Sequence, residues 1–306
     1  MERMLELYTK ILLDTDIGTD IDDALCLAYL LAQPKCKLLG ITTVSGEAEK
    51  RAMMASALCR QAGKSIPVLP GIEKPLLTRC RQPLAQQAVR LENWPHETEF
   101  PKENAIEFMR RTIRQNPGEI TLLAIGPMTN VAALFASDPE IPALLKEVVL
   151  MCGRFTGRIA GLKEVEWNAY CDPYAAAVVY HAPVPIRSIG LDVTMQVRMT
   201  KEEAKRRMKA DILKPVMDFS KVWFEQSSQM IFHDPLAAAV IFDQEICGFQ
   251  RGKAEVELQS ERLLGLTHWT ENKEGKDLTA MQVDKDRFFD HYFGIVDQFR
   301  PEQKEG

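Results

Sequence analysis

Five aspartates, Asp14, Asp16, Asp20, Asp22 and Asp23, follow directly on the apolar run Ile11-Leu12-Leu13. The run reads as a short buried strand, Gly18 permits a sharp turn, and Asp22-Asp23-Ala24-Leu25 opens a pattern with helical spacing. The acids therefore sit where strand gives way to helix. Ionised carboxylates crowded this closely repel, so either some stay protonated or a cation joins them. Oxygen donors suit a hard divalent ion, and the segment reads as a metal site. Acids at a helix start also cap backbone N–H groups and complement the helix dipole, but one or two suffice for that. An EF-hand is excluded, because its loop needs an oxygen ligand where Gly18 stands and a glutamate where Leu25 stands. A magnesium-dependent phosphotransferase with Asp14 or Asp16 as nucleophile is the rival. It also needs a lysine and a phosphate cradle, and neither is evident.

Three other places carry side chains or carbonyls that such a site could use. His233-Asp234-Pro235 precedes an alanine-rich helical stretch, so His233 and Asp234 lie at another helix entrance; an Asp cap followed by Pro explains the pair equally well. Glu166-Trp167-Asn168, followed by Asp172-Pro173, offers two hydrogen-bonding side chains two positions apart. Gly126-Pro127-Met128-Thr129-Asn130 joins a buried run to a helix, and the carbonyls of Ala124 and Ile125 just before it are suitable calcium ligands.

The elements that must position these groups alternate along the chain. Residues 10–14, 38–44, 66–69, 120–125, 148–151 and 186–191 read as strands, and residues 23–33, 48–61, 105–115, 130–136 and 173–181 as helices. That alternation predicts an α/β single domain over residues 1–306, with an open, mostly parallel (mixed), Rossmann-like sheet covered by helices. Ligands of such sheets gather at the carboxyl ends of the strands, where the acids, Thr42–Gly46, Gly126-Pro127 and Met151–Gly153 all fall. Residues 74–104 contain four prolines and show weak periodicity, as expected of a flap over the site. After Gly248, residues 254–258 and 279–283 alternate like edge strands, and residues 284–299 form a closing helix with Phe288, Phe289, Tyr292, Phe293 and Val296 inward.

The 306 residues are 46% hydrophobic, enough for a full core, and the net charge of -5 argues against a nucleic-acid or membrane-surface partner. A small-molecule partner is expected. Residues 1–10 lack the apolar core of a signal peptide and no stretch reaches the ~18 apolar residues of a membrane span, so a cytoplasmic protein is expected. Seven cysteines without a CxxC pair suggest reduced thiols rather than a disulfide frame or zinc site.

Several ordered segments together resemble the inosine-uridine-preferring nucleoside hydrolase family: DTDIGTDIDDA (14–24), GITTVSG (40–46), LLAIGPMTNVA (122–132), VLMCG (149–153), EWNAYCDPYAA (166–176), LDVT (191–194) and HDPLAA (233–238). The resemblance implies calcium-dependent hydrolysis of the N-glycosidic bond of ribonucleosides. Asp16, Asp23 and Asp234 would hold Ca2+, with the backbone oxygen of Ile125 completing the protein ligands. Asp22 would accept hydrogen bonds from the ribose hydroxyls, Glu166 and Asn168 would orient the sugar, Asp16 would take the proton from water held by the ion, and His233 would protonate the leaving base. A homo-oligomer, dimer or tetramer, is also implied.

Relative to the commonest family spacing, two extra residues separate Gly18 from Asp22-Asp23. Aligning on Asp-Asp-Ala leaves Asp20 without a role; a helix starting earlier would give it one. Glu47 stands where the family often has Asn, and Ala160 where an Asn commonly helps bind the sugar. Trp94, Trp223, Phe224 and Phe232 are the aromatic candidates for stacking on a base, and His96 is expected to be a solvated loop histidine.

Overall fold

The computed structural model describes residues 8–157 and 164–301, so Ala160 lies outside the described residues. The chain opens with β1 (Thr9–Thr15), α1 (Asp22–Ala32), β2 (Cys36–Thr43), α2 (Ala48–Gln61) and β3 (Val68–Pro70). An irregular segment with one 3₁₀ stretch at Gln86–Asn93 leads to α3 (Ala105–Arg114), β4 (Ile120–Ala124), α4 (Thr129–Ser137), α5 (Ile141–Leu144) and β5 (Glu147–Met151). Then come α6 (Trp167–Cys171), α7 (Pro173–His181), β6 (Ile186–Ile189) and α8 (Leu191–Thr194). A small excursion of β7 (Arg198–Thr200), α9 (Lys201–Arg207), α10 (Lys214–Trp223) and β8 (Gln229–Ile231) precedes α11 (His233–Phe242). The chain closes with β9 (Cys247–Val256), β10 (Thr267–Glu271), β11 (Asp277–Val283) and α12 (Lys285–Val296).

These elements form a single α/β domain around a nine-stranded sheet of order β10-β9-β11-β6-β5-β4-β1-β2-β3. All neighbours pair in parallel except β9, which runs against both β10 and β11. From β1 the chain adds β2 and β3 on one side, then crosses back to place β4, β5 and β6 on the other. The reversal lies between β1 and β4, so the crevice beyond their carboxyl ends is the topological switch point where α/β sheets bind ligands. Asp14–Asp16 end one wall of that crevice and Ile125 ends the other.

Strand alternation divides the core into two layers. Ile11, Leu13, Leu123 and Val149 face α1, α11 and α12, packing with Leu27, Leu236 and Phe288. Leu12, Leu122, Val148 and Leu150 face α3, α4 and α7, packing with Met109, Val131 and Val179. Each such side chain contributes about 1.5–3 kcal/mol on burial, so the strand ends are held by rigid layers on both faces. No described helix is long and apolar enough to cross a membrane.

The carboxyl-terminal part differs from the sequence expectation. Neither segment expected at an edge lies there: residues 254–256 belong to β9, between β10 and β11, and Thr279–Val283 belongs to β11, between β6 and β9; the edge at this end is β10, whose alternation is hidden by exposed polar residues. Asp277 and Thr279 are fully buried in β11, which masks its interior position in a hydropathy pattern. The closing helix is present, with Phe288, Tyr292, Phe293 and Val296 buried and Phe289 partly so.

Candidate active site

The first turns of α1 and α11 meet at the crevice. Among the described residues, one trio of potential metal ligands stands out: Asp22, Asp23 and Asp234 each present a carboxylate oxygen within 4.8 Å of the others, and all three are buried. At an effective dielectric of about 20, two full charges at that separation repel by about 3–4 kcal/mol. Three such pairs rival the whole stability of a typical domain, about 5–15 kcal/mol, so the trio cannot sit fully ionised and unaccompanied. Burial first, and repulsion from neighbouring aspartates including Asp16 second, push all three carboxyls well above the usual carboxylate range. The acids are not consumed as caps: the N-cap residues of α1 and α11 are Ile21 and Phe232, and neither offers a side-chain bond. An all-oxygen, three-carboxylate donor set fits a hard divalent cation.

The remaining aspartates of the opening cluster separate into distinct environments. Asp16 lines the same cavity but lies outside the trio; its Oδ2 accepts a hydrogen bond from the Gln82 side-chain amide. Asp20 also lines the cavity, and burial pushes its carboxyl up to about 7, although Oδ1 accepts from the Ile21 backbone N–H at 2.6 Å. The helix starts at Asp22, so the alignment on Asp-Asp-Ala is the one the fold adopts. Asp14 is directed away from the cavity, into the sheet. Its Oδ1 accepts from Thr42 Oγ1 at 2.5 Å and Asn130 Nδ2 at 2.7 Å, tying β1 to β2 and to the start of α4. Asp14 is thus unavailable as a nucleophile, and no lysine among the described residues lines the cavity, so phosphoryl transfer finds no support among them.

Opposite the trio, Glu166 caps α6. It accepts backbone N–H bonds from Asn168 at 2.7 Å, Ala169 at 3.0 Å and Gly153 at 3.2 Å, while burial still raises its carboxyl. Asn168 Nδ2 donates to the carbonyls of Ile125 at 2.8 Å and Met151 at 3.0 Å, so its amide plane is fixed by the ends of β4 and β5. A carbonyl oxygen has two lone pairs, and the Ile125 oxygen keeps one for another partner. His233 lines the cavity with Nδ1 2.7 Å from Thr194 Oγ1, and burial pushes its imidazole down to about 4. The cavity has a volume of about 270 Å³, near the small end of ligand pockets, with Met151, Leu191, Trp167 and Trp223 as its apolar walls. Gly126 is obligatory: a Cβ there would lie 2.8 Å from Asp16 Oδ1 and 2.9 Å from the Asp16 nitrogen.

A sequence profile of the inosine-uridine preferring nucleoside hydrolases matches residues 11–290. The chain belongs to that family. It is 30% identical over 301 residues to the inosine-uridine preferring nucleoside hydrolase of Leishmania major, covering 92% of this chain and 95% of the other. It is 30% identical over 278 residues to a pyrimidine-specific ribonucleoside hydrolase of Shewanella, covering 84% and 85% respectively. Among solved structures, the purine-preferring ribonucleoside hydrolase of Gardnerella vaginalis superposes with a TM-score of 0.83 at 26% identity, covering 94% of this chain and 98% of that one.

In this nucleoside hydrolase the aromatic candidates divide. Trp223, at the end of α10, lines the cavity. Phe232 is fully buried against Phe288, Phe289 and Tyr292, Trp94 hydrogen-bonds Asp218, and Phe224 packs near Lys201; none of the three lines the cavity. His96 lies away from it too, bonded to its neighbour's carbonyl at Trp94. Glu47, in the left-handed region at φ +60°, turns toward the 74–104 segment, where Oε2 accepts from the Ala85 N–H at 2.8 Å.

Three participants were not foreseen in the sequence: Gln82, Trp167 and Arg51. Arg51 is fully buried, and its guanidinium donates to the backbone oxygens of Asp16, Ile17 (3.0 Å), Gly46 (2.9 Å) and Leu84 (3.1 Å). One cation thereby fastens the aspartate loop, the loop after β2 and the 74–104 segment together, and its charge opposes the rise of the Asp16 carboxyl caused by burial. Its only sequence signal is a basic residue on an otherwise small, apolar face of α2.

Proposed function

We propose that this chain hydrolyses the N-glycosidic bond of ribonucleosides in a calcium-dependent reaction that yields free base and ribose. The observation that carries the reading is the buried Asp22–Asp23–Asp234 trio at the switch point, with Asp16, Glu166, Asn168 and His233 around the same small cavity. Asp16, Asp23, Asp234 and the Ile125 carbonyl would hold the ion; their donor set of carboxylates and one carbonyl favours calcium over magnesium, which prefers to keep several waters. When bound, the cation supplies Lewis acidity that makes a water molecule a better nucleophile at neutral pH.

Everything else falls to the protein. Asp16 receives the proton of the attacking water, held in place by Gln82. Asp22 accepts from the ribose hydroxyls, and the rigid pair Glu166 and Asn168 orients the sugar from the other side. Positive charge develops on the ribose ring as the bond to the base breaks, and a cavity walled by carboxylates stabilises that charge as it appears. His233 serves the leaving base. Burial pushes its imidazole down to about 4, so the ring is neutral at pH 7; when Thr194 donates to Nδ1 the ring hydrogen resides on Nε2, where it donates a hydrogen bond to the departing base nitrogen while water supplies the proton. In this reading the carboxylates of the cavity serve the ion, the water and the sugar and none is the nucleophile, so attack is direct and inverts the anomeric carbon.

Calcium-loaded protein incubated with a panel of purine and pyrimidine ribonucleosides is expected to release free ribose, the α-anomer first by NMR. First appearance of the β-anomer would refute direct attack, and calorimetric nucleoside binding without base release would make this a binding protein instead. The homo-oligomer belongs to the same proposal, and sedimentation velocity tests it.

A further inference from the structure

The proposed reaction needs the Asp16 carboxylate in one orientation before the ion and the water arrive, and Asp16 stands on the loop just after β1 rather than within the strand. The structure offers a specific restraint. Gln82, buried in the segment between β3 and α3, donates from Nε2 to Asp16 Oδ2, while its Oε1 accepts from the indole N–H of Trp167 at 2.6 Å. The amide can satisfy both neighbours in one orientation alone: flipped, it would set its oxygen against a carboxylate and its N–H groups against an indole N–H. Arg51 fixes the two ends of this link, since it donates both to the Asp16 carbonyl and to the Leu84 carbonyl two residues beyond Gln82. Trp167 is 41% exposed and lines the cavity, on the first turn of α6 beside Glu166.

We propose that Gln82 is a positioning residue for Asp16, and that it couples the seating of the nucleoside against Trp167 to the orientation of the Asp16 carboxylate. This inference rests on the hydrolase reading above. A substrate that packs on the half-exposed indole orders it; the ordered indole holds the Gln82 oxygen; and the Gln82 amide then holds Asp16 Oδ2. Contact with the substrate at Trp167 is thereby expressed in the chemical step rather than only in affinity, which is where binding energy accelerates a reaction. Neither Gln82 nor Trp167 need touch the ion or the reacting atoms for this.

The test uses Gln82→Met, which keeps length and removes both polar ends, Trp167→Phe, which keeps a ring and removes the N–H, and the double variant. Thermal melts confirm that each is folded. The expected result is a fall in kcat of roughly 10–100-fold for Gln82→Met, the size typical of losing an outer hydrogen-bond partner. Trp167→Phe should lower kcat by a smaller factor, KM should stay within about twofold for both, and the double variant should be no slower than Gln82→Met alone, since coupled sites are not additive. A readout independent of turnover is the indole N–H resonance of Trp167, one of four tryptophans, which should move upfield in Gln82→Met without calcium or substrate. Independent, multiplying effects of the two substitutions, a raised KM at unchanged kcat, or an unmoved indole resonance would overturn the coupling. Failure of the hydrolase reading looks different: the unsubstituted protein would then release no base, while the indole resonance would still report the Gln82 link.

Discussion

Two buried groups of charge in this protein treat a carboxylate in opposite ways. On α10, Asp218 is surrounded by donors: Arg90 at 2.8 and 3.3 Å, Asn93 at 2.8 Å, the Trp94 indole at 3.1 Å and Lys221 at 2.7 Å. At the switch point, Asp22 accepts a single long bond from the Asp234 N–H, 3.4 Å, and Asp23 accepts from the Thr15 hydroxyl, with further carboxylates as their nearest charges. Burial acts to raise both sets. Around Asp218 the hydrogen bonds from Arg90, Lys221, Asn93 and Trp94 overcome it and hold the carboxyl well below the usual range, whereas among Asp22, Asp23 and Asp234 repulsion adds to it. The protein completes the first arrangement from its own side chains and leaves the second for a ligand. A structural acid and an acid kept for a cation are thus told apart by what faces them, not by depth.

The sharpest way to break this contrast is to remove one member of the trio. Asp23→Ala and Asp234→Ala are expected to abolish calcium binding by calorimetry and to lower kcat/KM by more than about a hundredfold, above what loss of an outer partner costs. Retention of calcium and activity by either variant would contradict the assignment. His233→Ala should cost roughly 10–100-fold in kcat at unchanged calcium affinity, because it removes a hydrogen-bond donor to the leaving base and no ligand; a loss of calcium affinity of similar size would mean the histidine acts through the ion.

Smaller effects should separate the two groups by stability. Asp234→Asn is expected to raise the melting temperature of calcium-free protein by relieving repulsion, and to erase the rise that calcium gives the parent, which amounts to about 2.7 kcal/mol at a hundredfold excess over Kd. Asp218→Asn should do the reverse, costing about 1–3 kcal/mol in denaturant titrations while the calcium-dependent rise persists. The last contrast is in pH. A carboxyl depressed by its partners contributes stability that is present above its ordinary value of 3.8 and is lost as pH falls below it. Asp218→Asn should therefore flatten the acid limb of the stability profile, and an unchanged limb would show that the surrounding donors contribute little.

Much of this was legible from the chain. The alternation of short apolar runs and helices gave the parallel sheet, because burial on both faces leaves a strong mark on sequence, and Asp-Asp-Ala located the start of α1 because acids and helical spacing coincide there. What escaped was contact between distant segments. Gln82 is 66 positions from Asp16 and 85 from Trp167, and a glutamine in a proline-rich segment carries no local mark of either partner. Phe232, Trp94 and Phe224, candidates for stacking on a base, lie away from the cavity, and sequence hides this for a related reason: an aromatic ring looks alike whether it fills a core, meets a carboxylate or lines a cavity. Asp14 shows the limit in the other direction: residues two apart on one strand would share a face, but β1 ends at Thr15, and the turn that follows carries Asp16 into the cavity while Asp14 stays bonded within the sheet.

Asp23 on α1 and Asp234 on α11 belong to helices built at opposite ends of synthesis. A chain truncated before α11 still carries β1 to β6, yet it presents only part of the acid set. Capture of the cation therefore certifies that translation has run past residue 234 and that the late helix has docked on the early one. A bound ion would also close the long intervening stretch as a reversible staple, so depletion of the metal should expose that stretch to proteases well before the protein melts.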